Sequence, residues 1–164
     1  MSYTEVLKKT DGISATLIKG SAEEQNAIER VKNFFALLSE DNIRAKVRSV
    51  YAKDAYLNDN LKELQGIDAI EAYFIAGAQE TEHVTVEFTD VAESNGNYYF
   101  RWIMKIRFKK LKRGQTTSSI GMSHMHFDSS GKIILHQDYW DSARGFFDHI
   151  PVVGKVLDAI RSRL

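Results

Sequence analysis

The stretch SSIGMSHMHFDSSGKIILHQDYW, from Ser118 to Trp140, decides the fold because it places a strand-like run on each side of a turn. The turn cluster is Asp128-Ser129-Ser130-Gly131, which is typical of a β-hairpin. With its two central serines as a two-residue turn, Ser123 lies opposite His136. The sequence therefore predicts an antiparallel hairpin around which the rest of the sheet is built.

This pairing gives the hairpin two different faces, because side chains alternate between the faces of a strand. One face mixes small, apolar and ionisable side chains, namely Gly121, Ser123, Met125, Phe127, Ile134, His136, Asp138 and Trp140. The other carries Ile120, Met122, His124, His126, Ile133, Leu135, Gln137 and Tyr139. The first mixture is typical of a ligand pocket and not of a sealed core. We therefore expect the first face to line a cavity.

Composition is that of a single globular domain. The chain has 164 residues, of which 43% are hydrophobic and 27% are charged, both ordinary values. Its 22 basic residues balance 22 acidic ones, so no net charge attracts nucleic acid or an anionic membrane. The absence of cysteine excludes disulfides, thiolate nucleophiles and cysteine-ligated zinc.

The chain is predicted to divide into an arm, one domain and a terminal helix. Residues 1–20 are weakly patterned and predict a flexible arm with one short strand near 15–18. Residues 21–145 form the domain, and residues 146–164 form an amphipathic helix that contains Pro151, the only proline. We expect this helix to pack on the same domain, with a dimer contact or a membrane surface as alternatives. No signal peptide or membrane span is recognised, which predicts a cytoplasmic protein without stable membrane insertion.

Three helices are predicted before the sheet. Ser21 and Glu24 form a capping box ahead of a helical pattern that runs over 22–38. Asp41 is predicted to cap a second helix that ends near residue 50, and a third helix begins near residue 67.

Strands follow the helices and define the fold class. A short strand is predicted over 55–57, and from residue 84 the hydrophobic period changes to two. Asn95-Gly96-Asn97 is predicted as the turn before a long strand over 98–110. This order predicts an α+β fold: a cone-shaped barrel in which three N-terminal helices pack on a strongly curved antiparallel sheet of four long strands plus a short one, followed by a C-terminal helix.

Three motifs carry a resemblance to a known family: YAKDAYLND at 51–59, FRWIM at 100–104, and the hairpin residues FD, GKI and DYW between 127 and 140. They resemble the nuclear-transport-factor-like superfamily, a cystatin-like α+β cone that includes ketosteroid isomerase and the SnoaL-like polyketide cyclases. With the first helix, the resemblance spans residues 22–140. It implies the cone fold and a homodimer through the sheet, and it specifies fold better than function because this scaffold serves many purposes.

The resemblance also assigns site residues. Asp59 stands where ketosteroid isomerase keeps its general base, which implies a base role for Asp59. Phe35 and Ser123 stand where that enzyme keeps its two oxyanion donors. Phe35 cannot donate a hydrogen bond, and losing such a donor costs about 10²–10³ in rate. Steroid isomerisation is therefore not expected. The SnoaL-like cyclases keep an acid–base aspartate near Asp138, so the chain is more similar to that branch.

The spacing of His136 and Asp138 also favours a site on the last predicted strand. Two residues apart, their side chains share a face with Cα atoms about 7 Å apart, so the carboxylate fixes the imidazole tautomer and suits the pair to proton transfer. The alternative is a structural pair that stiffens the rim. For Asp59 the alternative is a turn former. We predict Asp138, His136 and Asp59 as candidate catalytic residues.

The predicted ligand contacts are Phe35, Tyr56, Phe100, Trp102, Met104, Gly121, Ser123 and Trp140. For the two tryptophans, stacking on a flat ligand and plain core packing are both open. His124 and His126 share the outer face without a third ligand, so a dimer contact is favoured and no metal site is predicted. The basic run between Lys105 and Arg113 is more typical of a solvated hairpin end than of an RNA site, and no nucleic acid partner is predicted.

The sequence thus predicts a protein with an apolar pocket for a small hydrophobic molecule. One hypothesis is a cyclase, isomerase or hydratase that moves a proton on a small hydrophobic carbonyl compound without a metal or organic cofactor. The alternative is a non-catalytic module that binds a small ligand or acts through its dimer.

Overall fold

The structure is a computed structural model that describes residues 3–10, 17–110, 115–142 and 150–163. Its helices are α1 (Tyr3–Thr10), α2 (Ala22–Phe35), α3 (Glu40–Val50), α4 (Ile67–Glu80) and α5 (Pro151–Arg161). Its strands are β1 (Tyr51–Asn58), β2 (Glu63–Gln65), β3 (Thr81–Ser94), β4 (Asn97–Phe108), β5 (Thr117–Phe127) and β6 (Ile133–Trp140). The three predicted helices before the sheet are α2, α3 and α4.

The strands form one curled, unclosed sheet in the order β2-β1-β6-β5-β4-β3. The predicted α+β class, with helices packed on a curved sheet, is confirmed. The sheet is not wholly antiparallel as predicted, because β1 pairs with β6 in parallel. Parallel neighbours need a long crossover connection, and here β2, α4 and the other three strands lie between the two. A pattern of local alternation does not contain such a long-range pairing.

Local signals explain where α2 and α3 begin. The Ser21 hydroxyl accepts a hydrogen bond from the Glu24 amide at 3.2 Å, and the Glu24 carboxylate accepts one from the Gly20 amide at 2.6 Å. The predicted N-terminal cap of α2 is therefore present. The cap of α3 is Ser39 and not Asp41, since the Ser39 hydroxyl accepts from the Asn42 amide at 3.3 Å. Each cap satisfies an amide that the helix leaves unpaired.

One hydrophobic core joins the helices to the inner face of the sheet. Phe34, Ile43 and Ile70 come from α2, α3 and α4 and are completely buried. From the sheet, Phe100 and Met125 reach the same core and are equally buried. Burial of such large side chains contributes about 1.5–3 kcal/mol each. Apolar side chains from all three helices therefore hold them against the inner face of the sheet.

The hairpin at the centre of the sheet differs from its predicted register by two residues. Ser123 pairs with Asp138, and not with His136 as predicted. The cause is the turn: Gly131 has φ 72°, and the Asp128 amide donates to the Lys132 carbonyl at 2.8 Å, so the loop has three residues instead of two. A further register shift follows next to Phe127.

The two faces nevertheless keep most of their predicted members. Ser123, His136 and Asp138 share the inner face, whereas at the turn end of the hairpin it is Ile133, and not the predicted Ile134, that is completely buried in the main core. The irregularity beside Phe127 exchanges the faces at that point only.

The chain ends differ from the predictions. Residues 3–10 form α1 and bury Val6 against Tyr56 and Leu135 on the outer face of the sheet, where a flexible arm was predicted. An eight-residue helix is stable here because it buries an apolar side chain, not because of its propensity. The predicted strand near 15–18 falls partly outside the described residues.

The C-terminal helix is α5. Val156 and Ile160 of its apolar stripe are 54% and 52% exposed, and the packing of this helix on the domain stays a prediction. No helix in the described ranges is long and apolar enough to cross a membrane.

Candidate functional site

A cavity of about 330 Å³ opens between helices α2 and α4 and the inner face of the sheet. Most of its wall is apolar and aromatic, with Phe35, Leu38, Leu57, Leu61, Phe74, Val84, Val86, Phe88, Trp102, Met104, Ile106, Phe108 and Trp140 among the lining residues. A smaller polar group also lines it: Asp59, Tyr73, Ser123, His136 and Asp138. The volume is at the small end of the range for ligand sites in proteins. The cavity therefore fits a small, largely apolar molecule.

Asp138 is the centre of the polar group. Its Oδ1 accepts a hydrogen bond from the Ser123 hydroxyl at 2.5 Å and a second from His136 Nε2 at 2.8 Å. Within the described residues its Oδ2 has no hydrogen-bond partner. The side chain of Asp138 is 15% exposed, compared with 3% for His136. The carboxylate is thus held by one oxygen while the other stays available at the cavity wall.

The direction of the hydrogen bond between Ser123 and Asp138 follows from Trp102. Its indole nitrogen only donates, and it donates to the Ser123 hydroxyl oxygen at 2.9 Å. The single hydroxyl hydrogen of Ser123 is then directed to Asp138. Cross-strand pairing places Ser123 on β5 opposite Asp138 on β6, while Trp102 on β4 is opposite Gly121, two residues along β5 from Ser123.

Gly121 allows the two tryptophans to close over the sheet. A Cβ added at Gly121 would collide with the Trp102 ring and would lie 2.8 Å from Cβ of Trp140. The Trp140 indole in turn donates to the Asp59 carbonyl at 2.7 Å. The absence of a side chain at Gly121 therefore leaves room for both tryptophans in the cavity wall.

His136 is held from its other side by Tyr51. The Tyr51 hydroxyl lies 2.7 Å from His136 Nδ1, and the two rings are stacked at an interplanar angle of 15°. Tyr51 is 1% exposed. Burial, followed by the negative charge of Asp138, raises the pKa of Tyr51 well above its ordinary value. The hydroxyl therefore keeps its proton.

Asp59 forms the turn after β1 and also lines the cavity. Its Oδ1 accepts the backbone amides of Leu61 and Lys62 at 3.0 and 2.9 Å, which makes it a turn former. Its Oδ2 accepts from the Tyr73 hydroxyl at 2.5 Å. Burial and this hydrogen bond to Asp59 raise the pKa of Tyr73. Asp59 lines the cavity, yet both of its carboxylate oxygens are already engaged.

The hydrogen-bond donors at this end of the cavity are all used inside the protein. Among the described residues, Tyr73 and Trp140 donate to Asp59, Trp102 donates to Ser123, and Ser123 and His136 donate to Asp138. None of the lining residues that the structure describes is Lys or Arg, whereas Asp59, Glu80 and Asp138 are acidic. Over the described part of the chain, the site thus has a carboxylate oxygen that can accept a proton and no unused side-chain donor for a developing oxyanion.

Eight of the eleven predicted site residues line the cavity: Phe35, Asp59, Trp102, Met104, Ser123, His136, Asp138 and Trp140. Three do not. Phe100 is completely buried between Phe88 and Phe127 in the core. Gly121 lies beneath the tryptophans. Tyr56 faces the outer side, where its hydroxyl donates to Glu63 at 3.2 Å. Its neighbour on the strand, Leu57, lines the cavity instead, because adjacent residues face opposite sides.

Sequence reasoning missed Tyr51 and Tyr73. Tyr51 reaches His136 only because β1 lies beside β6 in parallel, a pairing that no local pattern contains. Tyr73 lies in the third predicted helix, and nothing in the helical pattern indicates that its hydroxyl contacts Asp59 in the turn after β1.

The outer-face histidines are enclosed within the chain. His124 and His126 are 3% and 6% exposed, and the Nε2 atoms of both lie 2.6 Å from Oδ1 of Asn97. The Tyr3 hydroxyl of α1 lies 3.0 Å from Nδ1 of His124. Both histidines are thus buried within the chain, and the dimer contact expected for them stays a prediction. No group of three or more potential metal ligands occurs within the described ranges.

Comparison with known families identifies the domain. Residues 31–136, more than half of the chain, match the model of the SnoaL-like domain. The chain belongs to the SnoaL-like family. The predicted resemblance to the nuclear-transport-factor-like superfamily is confirmed. No curated protein matches this SnoaL-like chain.

The solved structures similar to this SnoaL-like protein are named after different activities or folds. A protein with a ketosteroid isomerase-like fold from Catenulispora acidiphila, in complex with trimethylamine, is 15% identical, with a TM-score of 0.63 over 74% of this chain and 91% of that one. A protein named as a SnoaL-like polyketide cyclase from Jannaschia sp. CCS1 is 15% identical, with a TM-score of 0.61 over 79% of this chain and 99% of that one. An LEH-like epoxide hydrolase from M. tuberculosis is 16% identical, with 0.60 over 83% and 98%. At these identities the likeness concerns the fold.

Proposed function

We propose that this SnoaL-like protein is an acid–base enzyme, of the cyclase, isomerase or hydratase kind, that acts on a small hydrophobic carbonyl compound without a metal or organic cofactor. Asp138 is the base. The observation that carries the proposal is the state of its carboxylate: Ser123 and His136 hold Oδ1, while Oδ2 has no partner among the described residues at the wall of an apolar cavity. A positioned carboxylate of this kind contributes about 10²–10⁴ to the rate of proton transfer.

The donor pattern narrows the substrate. Removing a proton next to a carbonyl places negative charge on the carbonyl oxygen, and the site has no unused side-chain donor for that charge within the described residues. The substrate must then spread the charge itself. A 1,3-dicarbonyl compound does so over two oxygens, and its C–H is correspondingly more acidic. In this proposal the C–H electron pair enters the dicarbonyl system and the proton moves to Oδ2 of Asp138.

The neighbours of Asp138 have supporting roles. His136 donates to Oδ1 and orients the carboxylate. Asp59 keeps the turn after β1 closed and fixes Tyr73 and Trp140 at the cavity wall. Both oxygens of Asp59 are engaged, which makes it a weaker candidate for the base than Asp138.

The proposal is tested with ethyl 2-benzylacetoacetate, a hydrophobic 1,3-dicarbonyl probe with one acidic C–H. Exchange of that proton for deuterium in D₂O is followed by ¹H NMR. We expect the wild type to accelerate exchange and Asp138→Asn to lose about 10²–10⁴ of the acceleration. Asp54→Asn, an exposed aspartate on β1 outside the cavity lining, is the matched control and should retain it. An acceleration that survives in Asp138→Asn would contradict the assignment of the base.

A second candidate function is ligand binding without catalysis. The donor pattern favours ligand binding, because the polar groups of the pocket hydrogen-bond to one another and leave mainly the apolar wall to contact a ligand. Calorimetry distinguishes the two. Binding of the probe by the wild type with no acceleration of exchange would support the binding module and refute the enzyme.

We also propose a homodimer through the outer face of the sheet. A patch made of Ile120, Met122 and Tyr139 supports it, since these side chains are 68%, 40% and 44% exposed next to the region that α1 covers. Such a contiguous apolar patch is typical of an association surface. Light scattering should give twice the monomer mass for the wild type and the monomer mass for Ile120→Lys. Ile18→Lys, at an isoleucine that is 78% exposed and precedes α2 outside the sheet strands, should remain dimeric, and a monomeric wild type would refute the proposal.

A further inference from the structure

The contact between Tyr51 and His136 has the geometry of a fixed support for the candidate base. His136 is enclosed on all sides: Asp138 contacts Nε2, Tyr51 contacts Nδ1, and the Phe35 ring packs edge-on at a centroid distance of 5.8 Å. Tyr51 itself packs against Phe34 and Phe74 and does not line the cavity. Tyr51 therefore acts on the site only through His136.

The proton positions follow from the partners. A carboxylate only accepts, so His136 Nε2 must carry the hydrogen that it shares with Asp138. In a neutral imidazole the other nitrogen, Nδ1, then has only a lone pair. The Tyr51 hydroxyl has no other partner among the described residues and keeps its proton, so it donates to that lone pair. Tyr51 thus donates to His136, and His136 donates to the carboxylate of Asp138.

We propose that Tyr51 is a positioning residue that holds His136 as a neutral Nε2–H donor and keeps it from competing with Asp138 for the substrate proton. The inference rests on the proposed function, because it assigns the purpose of the arrangement to proton transfer at Asp138. With Nδ1 covered by Tyr51 and Nε2 already protonated, His136 has no free basic nitrogen. Between His136 and Asp138, the atom that can accept the substrate proton is then Oδ2 of Asp138.

The test does not require a substrate. Long-range ¹H–¹⁵N NMR spectra of the full-length protein report which ring nitrogen of each of the five histidines carries a proton, and His136→Gln identifies the His136 signals. We expect one Nε2–H tautomer for His136 in the wild type. Tyr51→Phe removes only the hydroxyl and keeps the ring packing. In that variant we expect the Nδ1 signal to move toward that of an unbonded nitrogen, and the Nε2–H proton to exchange faster with water.

Tyr56→Phe is the matched control, because it removes a buried tyrosine hydroxyl from the same strand on the opposite face of the sheet. Its His136 signals should equal those of the wild type. A His136 ring that is protonated on Nδ1 in the wild type, or His136 signals that do not change in Tyr51→Phe, would overturn the inference. A change of the same size in Tyr56→Phe would also overturn it, since it would reflect general loosening of β1.

The kinetic readout separates this inference from the proposed function. Tyr51→Phe should lower kcat for probe exchange about tenfold, with KM unchanged, because Tyr51 orients the base and does not contact the cavity. If the wild type fails to accelerate exchange, the proposed function fails while the NMR result stands. If Asp138→Asn abolishes exchange and Tyr51→Phe leaves kcat unchanged, the positioning role alone is refuted.

Discussion

Gly121 is the position where the smallest change in the chain is expected to disturb the site most. Alanine at this position places a methyl group against Cζ2 and Cη2 of Trp102 and 2.8 Å from Cβ of Trp140. Real Cβ contacts are not this short, so at least one indole ring must move. Trp102 holds Ser123, and Trp140 holds the carbonyl of Asp59. Displacing either ring therefore breaks a hydrogen bond of the site.

The expected cost of Gly121→Ala is about 1–3 kcal/mol in the free energy of unfolding, the usual range for overpacking a filled interior. Part of it is offset by about 0.4–1 kcal/mol, because alanine restricts the unfolded chain more than glycine does. The assay is urea unfolding followed by tryptophan fluorescence. Trp102 and Trp140 are the only tryptophans in the chain, so the emission of the folded state should also change.

Gly77→Ala is the control for this prediction. A Cβ added at Gly77, in α4, meets no atom within 4 Å, and alanine is favoured over glycine within a helix by about 0.5–1 kcal/mol. Gly77→Ala should therefore stabilise the protein and leave the fluorescence unchanged. Equal stability of Gly121→Ala and the wild type, with the same emission spectrum, would refute the packing described for the two tryptophans.

Three further predictions concern stability and the site. The raised pKa values of Tyr51 and Tyr73 mean that the unfolded chain loses tyrosine protons above about pH 10 while the folded protein keeps them; the free energy of unfolding should fall as pH rises through that value, and less steeply in Tyr51→Phe. Ser39→Ala removes the cap of α3 and should cost about 1 kcal/mol in urea unfolding, whereas no loss would show that the cap contributes nothing. Asp59→Asn should reduce probe exchange less than Asp138→Asn; a larger loss would make Asp59 the base.

Much of the fold follows from local sequence signals. The helical spacing after Ser21 and the alternation along β4 each depend on residues that are close in the chain, and both elements form where those patterns lie. The hairpin turn was located correctly, but its length depends on Gly131 adopting a positive φ. That conformation is one of several that a Ser-Ser-Gly sequence allows. One residue of the register error follows from this longer turn, and the second follows from the irregularity beside Phe127.

The site was predictable where it depended on alternation and not where it depended on distant pairing. His136 and Asp138 share a face because they are two residues apart on one strand, and this holds at any register of the hairpin. The partners of these residues come from elsewhere: Ser123 faces Asp138 only at the true register, and Tyr51 reaches His136 only through the parallel pairing of β1 with β6. Such contacts depend on how the sheet curls, which the local sequence does not specify.

The most direct test of Asp138 as the base is the structure of Asp138→Asn bound to ethyl 2-benzylacetoacetate. In this variant the probe should remain unreacted in the cavity. The carbon between the two carbonyl groups should lie about 3–3.5 Å from the side-chain atom that replaces Oδ2, the distance at which a proton can be transferred. A probe bound with that carbon beside Asp59, or bound outside the cavity, would contradict the assignment of Asp138 as the base.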